Sequence, residues 1–190
     1  MELLEAIKGR RSIRKYTSRA VDDKTLNIIL EAARQAPSWA NTQCWRFIVV
    51  RDSKLKNKLA DTGIAVATGK PNRAAEAMRI TPVAIVACAE MRKAGYYMKE
   101  AREPVTDKGD WFMYDVALAM QNLTLAAHAL GLGTVHIGAF DAVKVAEILG
   151  VPEGFAVVAM TPLGYPDEEP NPRPRKELAE IVSYDKFGQK

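Results

Sequence analysis

The chain is short of the residues that several kinds of chemistry require. Among its 190 residues there are two cysteines, Cys44 and Cys88, and two histidines, His128 and His136. Two isolated cysteines exclude a disulfide framework and a C-x-x-C metal site, and a reducing compartment suits them. The histidines have no third ligand at metal spacing, so no metal is expected, and both read as structural residues. Charge of one sign is scarce as well. Lys and Arg number 27 against 23 Asp and Glu, a net charge of +4, which is not the dense basic stripe of a nucleic-acid binder but suits a small anionic ligand. No long hydrophobic run is present: Val116 to Leu130 contains Gln121, Asn122, Thr124 and His128 and falls short of the roughly 20 residues of a membrane span. Glu2, Glu5 and Lys8 interrupt Met1 to Arg11, which excludes a signal-peptide core and leads us to expect a soluble cytoplasmic protein. Neither G-x-G-x-x-G nor a P-loop occurs, so a Rossmann or P-loop nucleotide site has no support.

What is present is the composition of one globular domain over residues 1–190, 48% hydrophobic and 26% charged. Leu3, Leu4 and Ile7 predict a short first helix leading into an extended basic segment. A second helix starts after Asp22 or Asp23, buries Leu26, Ile29, Leu30 and Ala33, and stops before Pro37. Phe47–Val50 reads as a buried strand, and Ser53 as the cap of a helix carrying Leu55, Leu59 and Ile64, closed by a breaker cluster at Gly69–Asn72. Val83–Ala89 is a second strand, and Glu90–Lys108 an irregular excursion. After Asp110, Trp111–Leu130 is a helix apolar on most faces, ended by Gly131 and needing cover that a second subunit could supply. A strand at Thr134–Ile137, a helix at Asp141–Leu149 closed by Gly150, and a strand at Phe155–Thr161 follow. Pro166–Pro174 is too proline-rich for helix or central sheet and predicts an extended arm, with a short helix near Lys176–Ile181. The sum is an α+β arrangement, a mixed sheet with helices.

Four groups of residues could carry chemistry. Arg10, Arg11, Ser12 and Arg14 place three guanidinium groups and a hydroxyl within five positions, donors suited to a phosphate monoester. In an extended segment Arg10, Ser12 and Arg14 share a face. Arg173 and Arg175 repeat the period-two spacing in the stiff arm. On its own the first group also suits a solvated basic patch, and a pair such as the second is more often a surface arm than a site. The loop Pro37 to Trp45, with Ser38, Asn41, Thr42 and Gln43, offers the polar groups that could meet the edge of a flat heterocycle, or an ordinary capped turn. Gly131-Leu132-Gly133 and His136-Ile137-Gly138-Ala139-Phe140 allow backbone to approach a ligand closely.

In this order, R-R-S-I-R-x-Y, A-P-S-x-x-N-x-Q-x-W, G-L-G-T-x-x-I-G-A-F-D and P-L-G-Y-P with P-R-P-R-K, the chain resembles the nitroreductase family over most of its length. The resemblance implies a three-layer sandwich and an intertwined homodimer with FMN at the subunit interface. Arg10 and Ser12, with Arg173 and Arg175, would hold the phosphate, and Arg11 belongs to the same basic group. Arg14 would lie near the pyrimidine edge of the isoalloxazine, where negative charge collects on reduction. Pro37, Ser38 and Asn41 would come from the opposite subunit, and backbone near Gly138 and Ala139 would pack by the reactive edge; Asn72 and Arg73 are further candidates. NADH or NADPH would supply electrons, passed in ping-pong fashion to nitroaromatics, quinones or related small acceptors. No protein acid or base is nominated, since the flavin carries the reaction. Related reactions on the same cofactor, enone reduction, reductive dehalogenation or flavin breakdown, remain alternatives, as does a basic nucleic-acid-binding module. Cys44 departs from the family pattern, where proline is common.

Overall fold

The computed structural model describes residues 1–66, 69–97 and 103–189. In chain order its elements are α1 (Leu3–Gly9), α2 (Asp23–Arg34), β1 (Trp45–Val50), α3 (Ser53–Asp61), α4 (Arg73–Ile80), β2 (Val83–Glu90), α5 (Phe112–Ala129), β3 (Gly133–Thr134), α6 (Ala142–Leu149), β4 (Phe155–Gly164) and α7 (Leu178–Ile181). The expected helices and strands are present, with four local differences. Asp52, not Ser53, caps α3: its carboxylate accepts from Leu55 N–H at 2.8 Å. The helix stops at Asp61 and leaves Ile64 exposed. The breaker cluster ends in a helix start, because Asn72 caps α4. The third strand is also shorter than read. After Thr134 the Val135 N–H turns to the Thr161 hydroxyl at 3.3 Å, and pairing resumes only at Ile137, which bridges Met160.

The sheet order is β1-β2-β4-β3 and every strand pair is antiparallel. The parallel component of the expected mixed sheet is confined to the isolated bridge between Ser12 and Thr134. Strand β2 lies inside and is buried on both faces, which is why its sequence is continuously apolar instead of alternating. Val83, Ile85, Ala87 and Ala89 join Ile29, Ala33, Met120 and Leu123 of α2 and α5. Ala84, Val86 and Cys88 face Leu59, Met78 and Val145 of α3, α4 and α6. Period-two alternation of a strand thus builds two cores and the expected three-layer sandwich. Burying these aliphatic side chains contributes about 1.5–3 kcal/mol each for the larger ones, offset by chain entropy.

Of the segment read as an irregular excursion, residues 98–102 lie outside the described residues. Its flanks form no helix: Tyr96 bridges Pro104, and Trp111 N–H donates to Ala94 O at 3.0 Å. From Pro170 onward the arm is nearly all exposed, including Leu178, Ile181, Tyr184 and Phe187. Among the described residues no helix is long and apolar enough to cross a membrane.

Candidate functional site

The basic segment after α1 lies along the edge of the sheet. Ile13 N–H donates to Thr134 O at 2.9 Å, and Thr17 N–H to Tyr165 O at 3.0 Å. Ile13 and Tyr16 are buried, and the Tyr16 hydroxyl donates to Ile13 O at 2.6 Å. Burial, with Glu168 adding to it, pushes that phenol above its ordinary range. With Ile13 turned inward, the extended backbone turns its alternate residues outward. Arg10, Ser12 and Arg14 consequently line one cleft of about 490 Å³, together with Thr124, His136 and Arg175. Arg175 reaches it from the arm. The arm is tied back by Glu168, whose carboxylate accepts the Arg14 and Lys15 N–H groups. Arg14 is steadied by a 3.3 Å bond from its guanidinium to Ser12 O.

The cleft concentrates like charge. Arg10 is held below its ordinary pKa by burial first, then by Arg175 and Arg11. None of the carboxylate ion pairs among the described residues involves Arg10, Arg14 or Arg175. Guanidinium groups gathered without an ion-pair partner repel one another, and an anion between them relieves that repulsion and the lost hydration of Arg10.

A second cleft of about 430 Å³ adjoins the first and shares Arg14 and His136 with it. Its floor is the backbone of Gly138 and Ala139, and Lys70, Asn72 and Arg73 stand on its rim. A β-carbon added at Gly138 would meet nothing within 4 Å, so the glycine leaves open space where a flat ligand could lie on backbone. Asn72 fixes that floor. Its Oδ1 accepts from Ala74 and Ala75 N–H at 3.1 and 3.3 Å, and its Nδ2 donates to Ala139 O at 3.0 Å and Ile64 O at 3.2 Å. Every strong hydrogen-bonding atom of this amide is occupied, so Asn72 positions the cleft and is not free to hold a ligand. Gly63 makes the approach possible: a β-carbon there would lie 2.5 Å from that of Ala75.

The remaining sequence candidates fall elsewhere. Pro37 and Ser38 line a separate hollow of about 280 Å³ with Trp39, Trp111, Tyr114 and Asp115. Asn41 is exposed in left-handed backbone, φ 56°. Neither group lines the two basic clefts of its own chain. Arg11 turns back over the end of α1, donating to Lys8, Gly9 and Arg10 carbonyls at 2.8, 3.0 and 2.9 Å, and lines a different hollow with His128. Arg173 is exposed and lines neither basic cleft. His136, read as structural, is exposed at the junction of the two clefts. Among the described residues no cluster of three or more His, Cys, Asp and Glu could hold a metal.

One residue that sequence reasoning missed organises the Pro37–Trp45 loop. Asp115 is buried within α5, and both its oxygens accept the Trp39 N–H at 3.1 Å. The Thr42 hydroxyl lies at 3.4 Å and the Cys44 thiol at 3.7 Å. Burial raises the Asp115 pKa, opposed by these donors. Burial and the neighbouring carboxylate push Cys44 up to about 12, and burial pushes Cys88 up to about 11, so both thiols stay protonated and unreactive near neutrality. A lone acid inside an apolar helix was the available signal.

The arrangement therefore offers donors for an anionic group at one end, a cation in the middle and uncovered glycine backbone at the other. The nitroreductase family model matches residues 7–165. A protein of Archaeoglobus fulgidus, whose name pairs NADH dehydrogenase with NAD(P)H nitroreductase, is 36% identical over 174 residues, 88% of this chain and 87% of that one. The solved structure of a nitroreductase family protein from Clostridium novyi NT is 35% identical, with a TM-score of 0.77 over 100% of this chain and 96% of that chain. An FMN-dependent nitroreductase from Clostridium difficile R20291 is 28% identical, with a TM-score of 0.77 over 97% of this chain and 99% of that chain. The motifs, the three-layer fold and these matches agree, and the chain belongs to the nitroreductase family.

Proposed function

We propose that the two adjoining clefts hold FMN and that the chain is a cytoplasmic, FMN-dependent oxidoreductase. In this reading NADH or NADPH supplies electrons that pass, by ping-pong kinetics, to nitroaromatics, quinones or related electron-poor acceptors. The observation that carries it is the set of uncompensated cations, Arg10, Arg14 and Arg175, around one cleft that opens onto the bare backbone at Gly138. A phosphate ester of a flat heterocycle satisfies both ends. When bound, the flavin supplies two-electron redox chemistry that no protein side chain has.

The chain's own residues then divide the work. Arg10, Ser12 and Arg175 hold the phosphate through charge-assisted bonds. Arg14, anchored by Glu168 and Ser12, presents fixed positive charge to the ring edge where negative charge develops, and preorganised charge costs no reorganisation at the moment of transfer. Gly138 and Ala139, set by Asn72, give the ring a flat floor that excludes water from one face.

A homodimer completes the site in this proposal. Pro37, Ser38 and Asn41 face away from their own chain's basic clefts and are free to reach those of a partner. The exposed α1 residues Leu3 and Leu4, at 63% and 77%, and Phe187, at 104% in the arm, are apolar surface that a second copy would cover. The test is steady-state kinetics with NADH or NADPH against a panel of nitro, quinone and enone acceptors, together with the flavin released on denaturation. Released FMN and parallel double-reciprocal lines are expected. Intersecting lines, or protein that releases no FMN and shows no turnover, would contradict the reading.

A further inference from the structure

His136 stands where the β3 pairing breaks. Thr134 pairs with Leu163 and Ile137 with Met160, while Val135 is buried and bonds the Thr161 hydroxyl. The residue between Val135 and Ile137 is left on the outer face, and its imidazole forms part of the wall of both basic clefts. Its Nε2 lies 2.8 Å from Oγ1 of Thr124, a buried residue of α5.

This partner suits either charge state. A hydroxyl can donate to Nε2 of a neutral imidazole or accept from the N–H of a cationic one by rotating its proton, so His136 can titrate without losing the contact. The charged groups that line the two clefts with it are all cationic. Arg10 and Arg14 come from the basic segment, Arg175 from the arm, and Lys70 and Arg73 from the rim before and at the start of α4. On α5 the facing groups are Gln121 and Thr124, with His128 one turn further on. Glu168, the nearby carboxylate, is taken up by the Arg14 and Lys15 N–H groups. Although the residue keeps an open side, desolvation of the ring by the packed cleft walls, and then Arg10, lower the His136 pKa and favour its neutral form when no ligand is bound.

We propose that His136 is a further cofactor-binding residue, and that FMN binding takes up a proton onto its imidazole. The inference rests on the flavin reading above. A phosphate monoester brings about −1.5 to −2 charges among Arg10, Ser12 and Arg175, replacing cationic repulsion at His136 with attraction and favouring its protonated form. By linkage, affinity then falls as pH rises through the interval between the ligand-free pKa and the higher ligand-bound one.

Isothermal titration of flavin-free protein with FMN, at about pH 7 in buffers of different ionisation enthalpy, counts the protons taken up. The wild-type protein is expected to take up a fraction of a proton more than His136→Gln. The comparison removes the titration of the phosphate itself, which both proteins share. Across about pH 6 to 8, wild-type affinity relative to His136→Gln should fall by about three- to tenfold. Riboflavin, which lacks the phosphate, should show no such difference. If His136→Gln binds no FMN, the imidazole C–H resonance of the wild-type protein, titrated with and without FMN, gives the same answer through its pKa. Equal proton counts, or an unmoved His136 pKa, overturn this inference alone. A wild-type protein that binds no FMN overturns the flavin reading beneath it.

Discussion

Replacing Asp115 with alanine removes the carboxylate that fixes the Pro37–Trp45 loop against α5. The Trp39 N–H, part-buried and held between two oxygens at 3.1 Å, would lose its partner, and the Thr42 hydroxyl and Cys44 thiol would each lose theirs. A buried donor left unpaired costs about 1–3 kcal/mol. The thiol is a weak donor and the Thr42 contact is long, so the Trp39 amide dominates. Relief of the carboxylate's own desolvation offsets part of the loss, and the net cost is about 1–2 kcal/mol. Asp115→Asn keeps a carbonyl for Trp39 and should cost about 1 kcal/mol. The two substitutions also separate by pH. Burial sets the native pKa of Asp115 above its ordinary value of 3.8, so between those values the folded state binds more protons than the unfolded state. Stability conferred by the protonated group is complete below the ordinary pKa and lost as pH rises through the native one. Urea unfolding followed by circular dichroism, from about pH 4 to 7, should show wild-type stability falling relative to Asp115→Asn and then levelling. If Asp115→Ala lies within about 0.5 kcal/mol of wild type, the hydrogen bonds described do not hold the loop.

Gly138→Val should leave thermal stability nearly unchanged, because the new side chain meets no protein atom within 4 Å at its root, yet weaken FMN uptake at least tenfold by filling the flat cleft; an unchanged dissociation constant would refute that placement. Arg175→Ala removes a charge-assisted phosphate bond of about 1.5–3 kcal/mol and should raise the FMN dissociation constant about ten- to a hundredfold. Arg14→Ala should lower the reduction potential and the rate of reduction more than it weakens retention. Equal effects from the two arginine substitutions would contradict their separate roles. Light scattering of the flavin-bound protein should return twice the chain mass, and truncation before Leu178 should lower dimer stability by uncovering apolar contacts; a monomer would refute the shared site.

Much of the architecture was legible because its signals are local. Leu26, Ile29 and Ala33 mark α2 by period alone, and Gly150 closes α6 at φ 65°, a conformation that costs glycine little. The fourth helix was missed for a physical reason. It is short and buries Ala75, Ala77 and Met78, so little apolar contrast distinguishes its faces, and its capping Asn72 sits in a run of turn residues. Asp52 and Ser53 are both capping types, and neighbouring residues of equal propensity cannot be ranked without the backbone. At the site, period two correctly placed Arg10, Ser12 and Arg14 on one face. It could not show that Arg11 folds back onto its own helix end, nor that Asn72 spends its amide on Ala139. Asp115 and His136 were hidden because their roles depend on partners 71–76 and 12 residues away in sequence.

The central claim is that the uncompensated cations and the bare backbone at Gly138 hold FMN. The visible spectrum of the freshly purified protein, followed by anaerobic addition of NADH and NADPH, tests it most directly. The account predicts a yellow protein that releases FMN on denaturation and bleaches with at least one of the two donors. A colourless protein that takes up no added FMN would contradict it.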